Sequence, residues 1–489
     1  MSELLQRPDL LRTESFIGGR WLPSPAGHRF DVFNPADQSC VASVSDADAE
    51  QAQEAIDAAE NALPQWRDQT AEQRAKVLRG WSELMHQNSS DLAKLMTAEQ
   101  GKPLSEAEAE IAYGASYIEW FAEEAKRVYG DVIPPPTSDQ RIVVIKQPVG
   151  IVAAITPWNF PNAMLARKVA PALAAGCTVV AKPAELTPLS ALAMAKLGEE
   201  AGIPPGALNV VCSSRSAAIG KVLCDDSRVR KLTFTGSTAT GKTLLAQCAD
   251  TVKRTSMELG GNAPFIVFDD ADLDLAVEGL IASKFRNAGQ TCVCANRVLV
   301  QEGIYDEFAG RLLERLKGFR LGPGDQPGID MGPLINQQAC EKVRRICRDA
   351  VAQGAKLETA GLASGLGPLF IDPAILLECT PNMAAFREEI FGPIAPLFRF
   401  RDESEAIALA NDVPVGLAAY FYTENRRRIW RVSESLQFGI VGVNEGSISN
   451  PMAPFGGLKE SGFGREGSKY GLQDYLDIKY LCLGALTER

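Results

Sequence analysis

The sequence predicts an α/β protein with a doubly wound, parallel sheet followed by a second α/β domain. Three observations predict it. The chain has 489 residues, too many for one ordinary core, so two to four domains are expected. Between residues 150 and 260 short apolar runs alternate with helical segments, the pattern of a parallel sheet wrapped by helices. After residue 262 the alternation starts again.

Taken in order, residues 50–130 read as helices. Ala, Glu, Gln and Leu dominate, and Val77, Leu78, Trp81, Leu84 and Met85 recur at helical spacing. DVIPPPTSDQ breaks the pattern, and RIVVIKQPVG reads as a strand. Strands follow in GIVAAITPWNF, CTVVAKPAE, ALNVVCS and KLTFTGS, with helices expected at 163–175, 188–201, 216–224 and 238–249. In the second unit NAPFIVF and RVLVQ are strands, 273–288, 304–318 and 336–353 helices, and further strands fall near 369–377, 395–400 and 438–443. The tail YLDIKYLCLGAL reads as a strand, of the kind that pairs with a partner subunit or another domain. Ligands on such sheets sit beyond the carboxyl ends of strands, which singles out Asn159, Lys182, Glu185 and Ser237.

Composition excludes several classes. No apolar run approaches the roughly 20 residues of a spanning helix. The N-terminal stretch lacks a basic-then-apolar leader and carries acidic residues, so a cytoplasmic protein is expected. A net charge of −11 without a dense basic tract argues against nucleic acid, and the small cluster at 426–428 reads as a solvated helix face. Two histidines, His28 and His86, leave little room for zinc sites or histidine relays. Eleven cysteines, an odd number over a long chain, read mostly as buried small hydrophobes in a reducing compartment.

One motif has two uses. Residues 236–243, GSTATGKT, fit the phosphate-binding pattern GxxxxGK[ST], and PFIVFDD ends in aspartates as a Walker B strand does. That is the rival reading, a P-loop NTPase. The same strand-to-helix turn would hold a dinucleotide pyrophosphate, because a helix N-terminus offers free N–H groups and a positive dipole end.

Three segments carry chemistry. ITPWNFP places Asn159 after a strand, MELGGNAP places Glu258 before a Gly-Gly turn, and GQTCVCANR places Cys292 on a glycine-preceded turn or helix. A cysteine, an amide and a carboxylate suit reaction at an aldehyde carbonyl. The thiolate attacks, the amide donates to the oxyanion, and the carboxylate activates the water that cleaves the thioester.

In this combination the chain resembles the aldehyde dehydrogenases, from about residue 12 to 487. ITPWNFP, KPAELTP, FTGSTATG, MELGGNAP, GQTC, EEIFGP and PFGGLKESGFGRE stand in that family's order and spacing. The resemblance implies a Rossmann-type cofactor domain, an α/β catalytic domain and a small β oligomerisation element. These would span residues 1–126 with 148–260, residues 261–459, and residues 127–147 with 460–489. It implies Cys292 as nucleophile, Asn159 with the Cys292 N–H as oxyanion hole, and Glu258 as base for deacylation. Lys168 and Glu466 would support the site and relay protons. Trp158, Lys182, Glu185, Ser237, Glu389 and Phe391 match the cofactor-binding positions, with NAD favoured over NADP because Glu185 repels a 2′-phosphate. No metal is implied.

FRNAGQTCVCANR, VPVGLAAYFY, VGVNEGSISNPMAPFGG and GREGSKYGLQDYLDIKY resemble the succinate-semialdehyde dehydrogenase branch. That resemblance implies a substrate with a carboxylate at its far end, gripped by Arg167 and Arg286 with Ser449. A homodimer or homotetramer is implied, and Cys294 is either an inert neighbour packed against the site or, as in some members of that branch, the partner of Cys292 in a reversible disulfide. Glutarate semialdehyde, one methylene longer, is the alternative substrate.

Overall fold

The computed structural model describes residues 1–486. Two sheets organise it, and the helices pack on them or on one another through the apolar stripes that their sequence spacing creates. The first sheet has eight strands, in the order Arg20–Leu22, Ser15–Ile17, Leu208–Val210, Thr178–Lys182, Ile151–Ile155, Val229–Thr235, Arg254–Glu258, Gly462–Phe463. Its five central strands are parallel, and antiparallel strands flank them. From Ile151–Ile155 the chain winds first to one side and then to the other. The crevice between that strand and Val229–Thr235 is therefore the topological switch point at which such sheets bind ligands.

Helix Ala49–Arg67, capped by Asp48, covers this sheet, and Ala71–Gln87, which opens on a Thr70/Gln73 capping box, packs on the helices Leu104–Glu124, Ala163–Ala175 and Pro188–Glu200. Leu78, Trp81 and Met85 are fully buried, as their spacing predicts. The Trp81 indole donates to the carbonyl of Met194, and that of Trp66 to Leu173. Helix Ala163–Ala175 is buried along its whole length, and its alanines let neighbours approach closely.

The second sheet has seven strands, in the order Lys356–Thr359, Ala374–Cys379, Ile394–Phe400, Ala295–Gln301, Ala263–Val267, Ala418–Tyr422, Ile440–Val443. All pair in parallel except Lys356–Thr359. The strand expected near 369–377 lies later, at Ala374–Cys379.

The tail strand Leu476–Leu483 pairs along its length with Arg141–Pro148 of its own chain, which also pairs with Asp131–Ile133. The resulting three-stranded sheet leaves Val132, Ile478 and Tyr480 largely exposed. Among the described residues no helix is long and apolar enough to cross a membrane.

The Walker reading fails on topology. The 236–243 turn ends a strand of the first sheet, whereas Ala263–Val267 belongs to the second. Lys242 turns outward to pair with Glu460 at 3.0 Å rather than facing the helix N-terminus.

Candidate active site

The loop that carries Cys292 is shaped by backbone strain. The helix expected over 273–288 stops at Lys284, and Asn287 and Ala288 adopt left-handed conformations with φ of 51° and 53°. Gly289 follows at φ 76°, where a Cβ would lie 2.2 Å from the carbonyl oxygen of Gly392, so only glycine fits. The turn ends the helix early and brings Cys292 to the mouth of the second sheet. Gly261, after the strand bearing Glu258, passes so close that a Cβ would meet the Cys292 carbonyl oxygen at 2.5 Å.

Asn159 is held against this loop from both sides. Its side-chain amide donates to the Gln290 carbonyl at 2.9 Å. Its own carbonyl accepts from Lys102 Nζ at 2.8 Å and Asn287 Nδ2 at 2.9 Å. Lys102 is in turn paired with Glu110, so a buried ion pair fixes the amide in place. Sequence reasoning missed Lys102, Glu110, Asn287 and Gln290. A signal was present in the helix Leu104–Glu124, where Glu106, Glu110, Tyr113 and Tyr117 stand on one face at i, i+4 and i, i+3 spacing.

Cys292 lies where two cavities meet. The larger, about 560 Å³, is lined by Trp158, Asn159, Ser237, Glu258, Glu389 and Phe391 among others. It shares Trp158, Gly236 and Ser237 with a slot of about 650 Å³ that holds Lys182, Glu185 and Ser216. The smaller, about 180 Å³, is lined by Arg167, Arg286, Ser449, Tyr113, Phe160 and Phe455, with Cys292 at its floor. The predicted residues thus gather into one continuous channel. Cys294, Lys168 and Glu466 are the exceptions: none of them lines these cavities, Lys168 and Glu466 lying buried behind them, and the Cys294 thiol faces the carbonyls of Lys284 and Ala295 at 3.4 and 3.5 Å. A bridge to Cys292 requires the Cys294 thiol to leave both carbonyls.

Charge in the site is dominated by burial. Cys292 is pushed up to about 12 by burial, against the pull of Arg167. Burial, with Glu466 adding to it, raises Glu258 well above the ordinary carboxyl range. Neither carboxylate oxygen of Glu258 has a hydrogen-bond partner among the described residues. Burial also opposes ionisation of Glu466, but Lys168 and Arg167 outweigh it and hold that carboxyl low. Lys168 Nζ lies 2.6 Å from one Glu466 oxygen and Arg167 Nε 2.7 Å from the other. Two cations on a fully buried helix need that counter-ion.

This divides the two arginines. Arg167 spends part of its charge on Glu466 and packs its guanidinium 3.8 Å over the Phe455 ring. Arg286 forms no ion pair among the described residues and stands 5.3 Å over Phe160. It is the freer cation of the small cavity.

The opposite side fits a dinucleotide. Ser237 caps helix Thr238–Cys248, whose first-turn residues Ala239 and Thr240 line the slot. Lys182 is buried and held below the usual lysine range by burial, with Glu185 at 3.4 Å opposing. Ser216 also donates to Glu185, at 3.1 Å. Burial raises the Glu389 carboxyl to about 7, and the Gly261 N–H donates to it at 3.0 Å. The Trp158 and Phe391 rings meet edge-on at 5.7 Å. Such a set offers a cation and carboxylate for one ribose, N–H groups for a pyrophosphate, and a carboxylate with an aromatic wall for the second nucleoside.

A doubly wound sheet and a second α/β sheet that meet over a cysteine, an amide and a carboxylate define an aldehyde dehydrogenase, and the chain belongs to that family. The aldehyde dehydrogenase family pattern matches residues 21–481. The chain is 55% identical to the NADP+-type succinate-semialdehyde dehydrogenase GabD of Escherichia coli, covering 98% of this chain and 99% of that one. It is 54% identical to the glutarate-semialdehyde dehydrogenase of Pseudomonas aeruginosa, over 99% of this chain and 100% of the other. The crystal structure of succinate-semialdehyde dehydrogenase from Burkholderia pseudomallei superposes with a TM-score of 0.97, at 55% identity over 98% and 99% of the two chains.

Proposed function

We propose that the protein oxidises succinate semialdehyde to succinate with a nicotinamide dinucleotide and water. One observation carries the reading: Cys292 floors a small cavity containing Arg286 and Arg167 and also borders a dinucleotide-shaped channel. The aldehyde carbon meets Cys292 from one side while its distant carboxylate meets the guanidiniums on the other. A bidentate Arg286–carboxylate pair orients the chain, and Ser449 adds a hydroxyl. Asn159 and the Cys292 N–H stabilise the oxyanion as the thiol adds. A nicotinamide dinucleotide held by Lys182, Glu185, Ser237 and Glu389 would supply the hydride acceptor. Glu258 then takes a proton from the water that cleaves the Cys292 thioester, with Lys168 and Glu466 as the polar support behind it.

The unit comprising residues 1–126 and 148–260 holds the dinucleotide, residues 261–459 supply the nucleophile, and residues 127–147 with 460–489 join subunits. Exposed Val132, Ile478 and Tyr480 on the three-stranded sheet support a homodimer or homotetramer. Glu185 at the adenosine end favours NAD, whose ribose hydroxyls it can accept. Buried Lys182 supports the second reading, in which NADP also serves. Similarity to the P. aeruginosa enzyme supports glutarate semialdehyde as the alternative substrate, since one methylene carries only about 1–3 kcal/mol of discrimination.

Initial rates of NADH and NADPH formation with succinate semialdehyde, glutarate semialdehyde and butanal test this reading. Fast oxidation of a semialdehyde, slow oxidation of butanal and a higher rate with NAD are expected. Equal rates with butanal would make the protein a general aldehyde dehydrogenase, and a strong NADP preference would overturn the role given to Glu185.

A further inference from the structure

The slot beyond Ser237 runs between two helices, Ser216–Asp225 and Thr238–Cys248. Ser216 and Gly220 line one wall and Thr240, Thr243, Leu244 and Gln247 the other. The helices touch at Gly220, where a Cβ would sit 3.6 Å from Leu244. Four residues on from each contact, one turn along the same seam, stand Cys224 and Cys248. Their sulfurs are 3.6 Å apart. Both side chains are buried, Cys248 at 3% exposure just before the solvent-facing turn Ala249–Thr251. The proposed reaction at Cys292 uses neither thiol.

The surroundings favour one thiolate over the other. The facing Cys224 thiol holds Cys248 below the ordinary thiol range, and the Lys253 ammonium adds to this against the effect of burial. Lys253 is fixed there by the carbonyls of Asp226 and Val229. A thiolate-prone cysteine in contact with a second thiol is the arrangement that hydroperoxides convert to a disulfide.

We propose that Cys224 and Cys248 are an oxidisable pair, closed to a cystine by hydrogen peroxide or an organic hydroperoxide, which narrows the adenosine slot and weakens dinucleotide binding. The binding part rests on the dinucleotide reading above. In the first step Cys248 sulfur attacks a peroxide oxygen, the O–O bond breaks, and water or alcohol leaves with the thiol proton. In the second, Cys224 sulfur displaces the hydroxyl of the Cys248 sulfenic acid, which departs as water with the Cys224 proton. Two thiols are oxidised by two electrons in all, and the peroxide is reduced. The sulfurs must close by about 1.5 Å to reach a bond length of about 2.05 Å. That movement draws the helices together one turn beyond the floor of the slot.

The test uses full-length Cys292→Ser protein, so that oxidation of the nucleophile does not enter, treated with hydrogen peroxide. Thiols are mapped by alkylation and mass spectrometry, and NADH affinity is read by fluorescence titration. Exposed Cys40 reports that oxidant was present. A cystine linking Cys224 to Cys248 is expected, with a several-fold rise in the NADH dissociation constant that dithiothreitol reverses. The same treatment of protein also carrying Cys224→Ser leaves the affinity unchanged. Free Cys224 and Cys248 after Cys40 is oxidised would overturn the pair, and a cystine with unaltered NADH affinity would overturn the coupling. Reduced protein that does not bind NADH would instead sink the dinucleotide reading, while the thiol map still decides whether the pair closes.

Discussion

Replacing Cys292 with alanine is expected to lower turnover of succinate semialdehyde by about 10⁴-fold or more, while NADH affinity changes by less than about two-fold. The size follows from position. Among the described residues Cys292 is the one thiol that lines both the small cavity and the larger one, so no other thiol inherits its place. Cys294 is buried with its sulfur against the Lys284 carbonyl and cannot reach a substrate bound at Arg286 without rebuilding the loop. Affinity for NADH survives because the groups assigned to it lie on other segments. Steady-state NADH formation and a fluorescence titration on the same preparation measure both quantities. Turnover within about a hundred-fold of the parent would remove Cys292 from the chemistry.

Glu258→Gln separates the two halves of the reaction. Steady-state turnover is expected to fall by about 10²–10⁴-fold, the ordinary worth of a general base. A rapid burst of NADH, close to one equivalent per active subunit, remains, because forming the thioester does not need the base that removes it. Acid-quenched mass spectrometry then finds the acyl group on Cys292. The pH profile provides a second reading. Burial raises the Glu258 carboxyl well above its usual range, so it is protonated and idle at low pH and gains its basic form only as pH rises through that raised value. The parent enzyme therefore gains deacylation rate with rising pH, and the variant loses that limb. A variant with no burst and a normal steady-state rate would show that water is activated elsewhere.

Much of this was legible in the sequence where local physics decides. The alternation of strands and helices from 150 to 260 predicted the first sheet closely, because fully buried parallel strands such as Thr178–Lys182 read as plain apolar runs. Edge strands were not seen: Ser15–Ile17 and Arg20–Leu22 are three residues each and owe their form to pairing. The helix before Cys292 was extended too far because Asn287 and Ala288 carry no turn signature. Their left-handed backbone is imposed by the hydrogen bonds of Asn287 and Gln290 around Asn159. The tail strand is legible from its alternation, but alternation gives a strand and not its neighbour; it was the family resemblance that joined the tail with residues 127–147 in one β element, where it pairs. Site residues followed the same division. Cys292, Glu258 and Asn159 sit in local motifs, whereas the Arg167–Glu466 pair joins positions about 300 residues apart and becomes visible only once the chain is folded.

The central claim is that Arg286 selects aldehydes bearing a carboxylate. The most direct test is kcat/KM for succinate semialdehyde relative to butanal, measured for the parent and for Arg286→Ala. Truncating one partner of a buried charged hydrogen bond costs about 2–5 kcal/mol, so the ratio should fall about thirty-fold or more while the rate with butanal stays near the parent value. A ratio that survives the substitution would contradict the account, because the carboxylate would then be recognised without the cation placed beside it.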